Sequence, residues 1–400
     1  MEKKGVAGNA GDKIRSDCKI SVTLNDKGGR LVHLDSKVRS MYGESIHALV
    51  SEILDFYEFG NVEVDIEDSG ALPHVLAARM EAAIRKISNT RKTFLLPSIE
   101  HPASYQASDR FRMSRLYLPG NNPAMMINAG IHEPDGIILD LEDSVAPDRK
   151  DEARILVRNA LRNVEFYGAE RMVRINQLPL GLEDASVVAP HGVELLLIPK
   201  CEEAWQVKKV EEVVHAVLES EGLEKEIFFM PIIESATGVE NAFMIATASK
   251  NVVAMAIGLE DFTADLGVPR TQEGTESFYA RTRIVNACKA AGIQPIDSVY
   301  SDVANMEGLL ENVKASAALG FEGMGCIHPG QIKVIHEGFK PSVREIENAL
   351  EITAAYKAAK ERGLGVVSIG SKMIDAPVVK RAGQILMLAR KFKLMDPEQH

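Results

Sequence analysis

The feature that most constrains the fold is a series of eight short apolar runs, which begins at Arg115 and is interrupted by helix-sized segments. Each run is nearly continuous in apolar residues, as expected for strands buried on both faces. Eight strand–helix units within about 215 residues favour an α/β fold of the (β/α)8 TIM barrel type over an open sheet. The predicted strands are Arg115–Leu118, Gly136–Leu141, Met172–Asn176, Val193–Pro199, Ile227–Ile233, Val252–Gly258, Gln294–Val299 and Glu322–Cys326.

Residues 1–90 differ in pattern and predict a small α+β domain. Ile20–Leu24 alternates as a strand does, and the turn signal Asp26–Gly29 after it predicts a hairpin. Helices are predicted over Ser45–Tyr57 and Pro73–Lys86, with a strand at Val62–Ile66 between them. The domain has enough apolar surface to fold alone, although only marginally.

The remaining boundaries follow from composition and from the end of the barrel pattern. Residues 91–110 contain prolines and several serines and are predicted to be a linker before a barrel at 111–340. Residues 341–400 form a C-terminal helical extension or lid, with helices near Ser342–Arg362 and Ala376–Leu394. A barrel does not need this extension, so we expect it to pack on a neighbouring subunit.

Length and charge limit the function classes. Four hundred residues suggest two domains, and 46% hydrophobic with 26% charged residues is the composition of a soluble globular protein. A net charge of −11 without a Lys/Arg stripe argues against nucleic-acid binding. The chain has neither an apolar leader nor an 18-residue apolar run, which predicts a cytoplasmic protein without membrane segments.

Two carboxylates, Glu234 and Asp261, each close an apolar strand-like run in consecutive strand–helix units. Parallel neighbouring strands would hold both carboxylates on one rim of the barrel, where barrels of this kind keep their active sites. Two carboxylates plus water and a chelating substrate suit Mg²⁺. Capping of a helix by either residue alone is the alternative.

Other candidates follow the ends of neighbouring strands. The loop containing Gly120 and Asn121 brings backbone N–H groups towards an anion, unless it is a plain turn. Asp140 and Glu142 share one side of the chain and are candidates to bind metal-bound waters, with charge at a helix start as the alternative. Arg174 on the third strand can hold a carboxylate through two N–H groups.

Three further polar residues have competing interpretations. Lys200 is a Schiff-base candidate, but an ion pair with a carboxylate of the rim is preferred. His328, after the eighth strand, either hydrogen-bonds a substrate or caps its loop. Asp375, in the extension, either caps a surface helix or closes over the rim of another subunit.

Taken in order, the motifs of the barrel resemble those of the citrate lyase β subunit and its malyl-CoA and citramalyl-CoA lyase relatives. The resemblance covers nearly all of residues 112–395. The motifs are Arg-Leu-Tyr-Leu-Pro-Gly-Asn (115–121), Leu-Asp-Leu-Glu-Asp-Ser-Val-Ala-Pro (139–147), Arg-Ile-Asn (174–176), Pro-Ile-Ile-Glu-Ser (231–235), Gly-Leu-Glu-Asp (258–261), Ile-His-Pro (327–329) and Lys-Met-Ile-Asp-Ala-Pro (372–377).

This resemblance implies roles for individual residues. Glu234 and Asp261 would bind Mg²⁺, Arg174 would hold the carboxylate of an oxo-acid, and Asp375 would act as acid/base from an adjacent subunit. Glu142 is kept as a catalytic candidate. A shared site of this kind requires at least a dimer, and a homotrimer or homohexamer is expected.

One departure from the family pattern concerns the start of the first strand. Relatives have two arginines before the serine of this motif, whereas this chain reads Arg112-Met113-Ser114-Arg115. Met113 cannot bind an anion. A contact to a carboxylate or thioester from that position must therefore move to Arg112 or Arg115, or be absent.

The N-terminal domain resembles the acyl carrier (γ) subunit of citrate lyase over residues 5–90. The resemblance rests on Ala10-Gly, Ser16-Asp-Cys18 and Asp68-Ser-Gly-Ala-Leu. In that carrier a serine bears a phosphoribosyl-dephospho-CoA arm. Ser16 is the attachment candidate, although a gapless comparison places Arg15 at the modified position. A degenerate carrier that serves assembly is the alternative.

The predicted reaction is a Mg²⁺-dependent cleavage of a 3-hydroxyacyl thioester, with citryl on a carrier giving oxaloacetate and an acetyl thioester. An oxo-acid and an acyl thioester are the expected small-molecule partners, and the resemblance implies an acyl-transferase (α) subunit as a protein partner. The alternatives are a malyl-CoA or citramalyl-CoA lyase, a metal-dependent aldolase of pyruvate-type acids, and a non-catalytic subunit of a lyase complex.

Overall fold

The N-terminal part of the chain is a four-stranded sheet covered by two helices. The computed structural model describes residues 3–99, 108–361, 363, 366–369 and 372–395. The strands run in the order β1-β2-β4-β3. The elements are β1 (Lys4–Gly8), β2 (Cys18–Leu24), β3 (Arg30–Ser36), α1 (Arg39–Phe56), β4 (Val62–Asp68) and α2 (Pro73–Ile87).

The hairpin predicted after Ile20–Leu24 is wrong. The turn forms, with positive φ angles at Gly28 and Gly29. However, β2 pairs with β4, and β3 lies on the far side of β4 in a parallel pair. The 18-residue helix α1 supplies the crossover that parallel neighbours need. The turn signal therefore predicted where the chain reverses direction, but not which strands pair.

The central part is the predicted eight-stranded parallel barrel, closed by pairing of its first and last strands. All eight predicted strands are present, with ends shifted by at most two residues. They are β5 (Ser114–Pro119), β6 (Gly136–Asp140), β7 (Glu170–Arg174), β8 (Leu195–Ile198), β9 (Phe228–Ile233), β10 (Ala254–Ile257), β11 (Gln294–Asp297) and β12 (Gly323–Cys326).

Helices follow the strands of the barrel and bury its outer face. Buried side chains such as Met172, Leu195, Met230 and Ile296 fill its interior. The helices are α3 (Pro123–Met126), α4 (Lys150–Asn163), α5 (Leu180–Val188), α6 (Ala204–Ser220), α7 (Ala236–Glu240), α8 (Ala242–Ala246), α9 (Leu259–Leu266), α10 (Phe278–Ala291), α11 (Met306–Leu319) and α12 (Gly330–Phe339). None of the helices in the described ranges is long and apolar enough to cross a membrane.

The sheet domain and the barrel share one compact unit, Met1–Ile335, and buried ion pairs join them. Arg79 on α2 donates to both Asp17 oxygens at 2.9 Å and lies 3.6 Å from Glu152 on α4. Glu81 on α2 accepts two hydrogen bonds from Arg158 on α4, at 3.0 and 2.9 Å. All five residues are at most 2% exposed. The N-terminal domain is therefore docked on the barrel and not merely tethered to it.

The C-terminal residues form a second compact unit, His336–His400. Both predicted helical stretches are present, as α13 (Val343–Glu361) and α14 (Ala376–Lys391), and they pack around Ile346 and Leu386. Between them lies a short antiparallel pair, β13 (Val367–Ile369) and β14 (Lys372–Ile374), which was not predicted.

Replacing Glu81 by Met is expected to lower the free energy of unfolding by about 3–5 kcal/mol, because Arg158 stays buried without its carboxylate. Denaturant unfolding of the full chain measures the change. The double variant Glu81→Met/Arg158→Met should recover much of the loss, because both charges are then removed. Equal losses in the single and double variants would show that the pair does not couple the two domains.

Candidate metal and substrate site at the barrel mouth

A cavity of about 710 Å³ opens at the carboxyl ends of the barrel strands. This is the end at which barrels of this type bind their substrates. Six of the predicted site residues line it together: Arg115, Asp140, Arg174, Glu234, Asp261 and His328.

Glu234 directly follows β9 and is buried, with 7% of its surface exposed. Burial raises the pKa of its carboxyl group to about 7, since the charged form loses hydration there. The backbone N–H of Lys200 donates to Oε2 at 2.7 Å. A β-carbon at Gly258 would lie only 2.5 Å from Oε1, so glycine is needed for the close approach of the next loop.

Asp261 lies in the first turn of α9, three residues after Gly258, and not at a strand end as the apolar run had predicted. The strand stops earlier, at Ile257, because Gly258 starts the helix. The side chain of Asp261 is 41% exposed, and Lys200 Nζ lies 3.2 Å from Oδ1. One lysine thus contacts both carboxylates, through its backbone and its side chain, and its predicted ion pair with the rim is confirmed.

The donor set at the mouth fits a hard divalent cation. Two carboxylates, one of them buried with a raised pKa, favour a positive charge between them. In the described part of the chain, one group of three His, Asp or Glu side chains has its ligand atoms within 4.8 Å of one another. It lies away from the mouth, at His33, Glu63 and Asp65 of the N-terminal sheet. The mouth therefore offers two protein ligands and leaves further positions for substrate and water.

Arg174 is the central cation of the mouth, and it is already engaged. Nε and Nη2 donate to the two oxygens of Asp140 at 2.6 and 2.7 Å, while Nη1 lies 2.9 Å from Glu142 and 3.1 Å from Asp143. Burial alone would lower the pKa of the guanidinium, but the Asp140 carboxylate outweighs burial and raises it. Asp143 is the most exposed of these three carboxylates, at 55%, so the Nη1 edge of Arg174 lies on the solvent side of the cluster.

Glu142 is 4% exposed and lies beside Arg174. Its carboxylate also accepts a hydrogen bond from Gln177 at 3.2 Å. Burial raises its pKa, and the neighbouring Arg174 partly offsets this. Both carboxylate oxygens of Asp140 accept hydrogen bonds from Arg174, so Asp140 positions that arginine. Its role with metal-bound water stays a prediction.

The loop after β5 differs from its predicted role as an anion cradle. The N–H of Gly120 donates to the Asp140 carbonyl at 2.8 Å. A β-carbon at Gly120 would lie 2.5 Å from that same oxygen, so the glycine serves close packing of two strand ends. The carbonyl of Asn121 accepts a hydrogen bond from Arg79 at 3.1 Å, which links this loop to the N-terminal domain.

The two arginines at the start of the first barrel strand have different surroundings. Arg112 precedes β5 and lies at the opposite end of the barrel, where Glu170 and Gln294 take up its guanidinium at 2.7–2.8 Å. Its predicted substrate contact is therefore wrong. Arg115 lies inside the barrel and lines the cavity.

The remaining predicted residues occupy loops and caps. His328 Nδ1 accepts from the N–H of Gly330 at 3.1 Å, so Nε2 carries the proton and can donate to a ligand. Asp375, in the C-terminal unit, caps α14 by accepting from the N–H of Val378 at 3.2 Å. Ser16 has a left-handed backbone with φ 55° in the loop between β1 and β2.

Tyr117 is a cavity residue that the motifs did not single out. Arg174 lies over its ring, 5.4 Å from the centroid, and burial raises the pKa of its hydroxyl group. The signal was present in the sequence, because Tyr117 is two residues after Arg115 and alternation places both on the inner face of the barrel.

A family model described as HpcH/HpaI aldolase/citrate lyase matches residues 113–329, more than half of the chain. The chain belongs to this family. It is accordingly a carbon–carbon lyase. A second model, described as malonate decarboxylase delta subunit, matches residues 3–87. The N-terminal domain is thus of the acyl-carrier type.

Relatives agree with this membership. Citrate lyase subunit beta of Leuconostoc mesenteroides subsp. cremoris is 37% identical over 300 residues, which cover 73% of this chain and 97% of the relative. The L-malyl-CoA/beta-methylmalyl-CoA lyase of Cereibacter sphaeroides is 34% identical, with 69% and 93% covered. Human mitochondrial citramalyl-CoA lyase is 33% identical, with 70% and 86% covered.

Solved structures agree as well. Protein CitE from Mycobacterium tuberculosis, in complex with magnesium, acetoacetate and coenzyme A, matches with a TM-score of 0.59 and 28% identity over 71% of this chain and 100% of that one. The citrate lyase beta subunit from the same organism, complexed with oxaloacetate and magnesium, matches with a TM-score of 0.50 and 29% identity, covering 58% and 99%.

Proposed function

We propose that this protein is a Mg²⁺-dependent lyase that cleaves a citryl thioester into oxaloacetate and an acetyl thioester. The observation that carries the proposal is the convergence of Glu234 and Asp261 on one cavity at the barrel mouth. The relatives named citrate lyase subunit beta support the substrate, and the solved relative bound to oxaloacetate and magnesium supports the metal.

Glu234 and Asp261 would hold the cation, with Lys200 keeping both carboxylates in place. When bound, Mg²⁺ lowers the pKa of the substrate hydroxyl and stabilises that oxygen as it becomes a ketone. Arg174, fixed by Asp140, would orient the oxo-acid carboxylate through its Nη1 edge. His328 would donate from Nε2 at the rim.

As acid/base, Asp375 of an adjacent subunit would accept the proton of the substrate hydroxyl and donate a proton to the carbon of the acetyl group. This role rests on the family motif around Asp375. It requires a homo-oligomer, which we propose to be a trimer or hexamer, and shielding from bulk water in the closed state. An acyl-transferase (α) subunit and a cytoplasmic location belong to the same proposal.

The N-terminal domain would present a phosphoribosyl-dephospho-CoA arm on Ser16. The position of Ser16 relative to the barrel supports this. The neighbouring Asp17 accepts a hydrogen bond from Arg79, and Arg79 also donates to the carbonyl of Asn121 at the rim. The proposed domains are the carrier at 1–90, the linker at 91–110, the barrel at 111–340 and the extension at 341–400. The carrier would then serve the barrel on which it is docked.

The second candidate is a lyase of malyl-CoA or citramalyl-CoA, which uses free CoA thioesters. Arg15, at the position where carriers of this type have the modified serine in a gapless comparison, favours it. The relatives that are named as lyases of these two thioesters support it too.

Removing one metal ligand tests the proposed reaction. Glu234→Gln should lower the turnover of a citryl thioester about 10³-fold at saturating Mg²⁺, because several kcal/mol of transition-state stabilisation are lost. The matched control is Glu212→Gln, an exposed residue on α6 that pairs with Lys209, which should leave turnover unchanged. Near-normal activity of Glu234→Gln would refute the assignment.

Mass spectrometry of the full chain from its native host separates the two candidates. The carrier proposal predicts an added mass equal to phosphoribosyl-dephospho-CoA, localised to Ser16 by peptide mapping and absent from Ser16→Ala. An unmodified chain that turns over malyl-CoA or citramalyl-CoA would instead establish the second candidate.

A further inference from the structure

Arg115 lies in the interior of the barrel because its strand neighbours lack side chains. Its ladder partners are Gly136 on one side and Gly325 on the other. A β-carbon at Gly136 would lie 2.6 Å from Met172, and one at Gly325 would lie 2.7 Å from Val299. These two glycines leave room for a long side chain that is only 1% exposed.

The guanidinium of Arg115 forms no ion pair with the described residues. Nε has no hydrogen-bond partner, and Nη1 faces the sulfur of Met230 at 2.8 Å, which is a weak acceptor. The Glu170 carboxylate that acts on it is held by Arg112 through two hydrogen bonds. A buried charge without a partner destabilises the folded protein, which indicates that Arg115 has a function in binding.

Burial lowers the pKa of Arg115 to about 10, which still leaves it positive at neutral pH. Arg115 lines the barrel cavity together with Ala256 and Gly325, whose small size leaves space beside it. Arg174, the other arginine of this cavity, is paired with Asp140. Arg115 is therefore a buried cation of this cavity that has no paired carboxylate among the described residues and can bind an anionic ligand.

We propose that Arg115 forms an anion subsite on the floor of the barrel cavity, which binds the second carboxylate of a dicarboxylic oxo-acid. The inference rests on the proposed function, in which Arg174 holds the first carboxylate beside the metal. A guanidinium binds a carboxylate through two parallel N–H groups. An oxo-acid with one carboxylate leaves Arg115 unpaired and binds less well, as when any buried polar group loses its partner.

Ligand binding to the full-length protein at saturating Mg²⁺ tests this subsite. The wild-type chain should bind oxaloacetate about 100-fold more tightly than pyruvate, which lacks the second carboxylate. In Arg115→Met this ratio should fall to near one, with pyruvate binding retained. Arg115→Lys, which keeps a positive charge, should preserve part of the preference.

The controls separate this inference from the proposed function. Thermal unfolding of Arg115→Met should show equal or higher stability, because an unpaired buried charge is removed. If the wild type binds pyruvate with Mg²⁺ but does not prefer oxaloacetate, or if Arg115→Met keeps the full preference, the subsite is refuted and the lyase function stands. If the wild type binds neither acid in the presence of Mg²⁺, both fail.

Discussion

The rest of the site depends on the burial of the Glu234 carboxylate at the end of β9, which is energetically unfavourable for its charged form. Removal from water raises its pKa to about 7, so the ionised form needs a neighbouring positive charge. Gly258 makes the enclosure sterically feasible, and the N–H of Lys200 supplies one hydrogen bond. A divalent cation shared with Asp261 is the chemistry that this arrangement favours.

The arginines of the barrel divide into groups by the carboxylates that hold them. Arg112 forms an ion pair with Glu170. Arg174 forms an ion pair with Asp140 and has one edge towards the cavity. Arg115 has no such carboxylate in the described ranges. The position of an arginine in a family motif does not predict these differences. A guanidinium that is fully paired with carboxylates has a structural role, whereas one without such a partner can bind a ligand.

The sequence predicted what depends on local pattern. Continuous apolar runs located all eight barrel strands, because strands covered on both faces have no polar alternation. Prediction from the sequence was wrong where residues far apart in the chain determine the contact. Strand β3 pairs with β4 instead of β2, and the N–H of Gly120 donates to the carbonyl of Asp140 at the end of the neighbouring strand. Asp261 entered a helix because Gly258 ended its strand early. The buried ion pairs between α2 and α4 had no local signal at all.

The central claim is that one cation binds between Glu234 and Asp261. Crystals of the full chain soaked in Mn²⁺, which scatters anomalously and takes the same oxygen ligands as Mg²⁺, test it most directly. We predict an anomalous peak within coordination distance of both carboxylates, at the cavity that Arg115 and Arg174 also line. A peak only at His33, Glu63 and Asp65, or carboxylates that do not share an ion, would contradict the account.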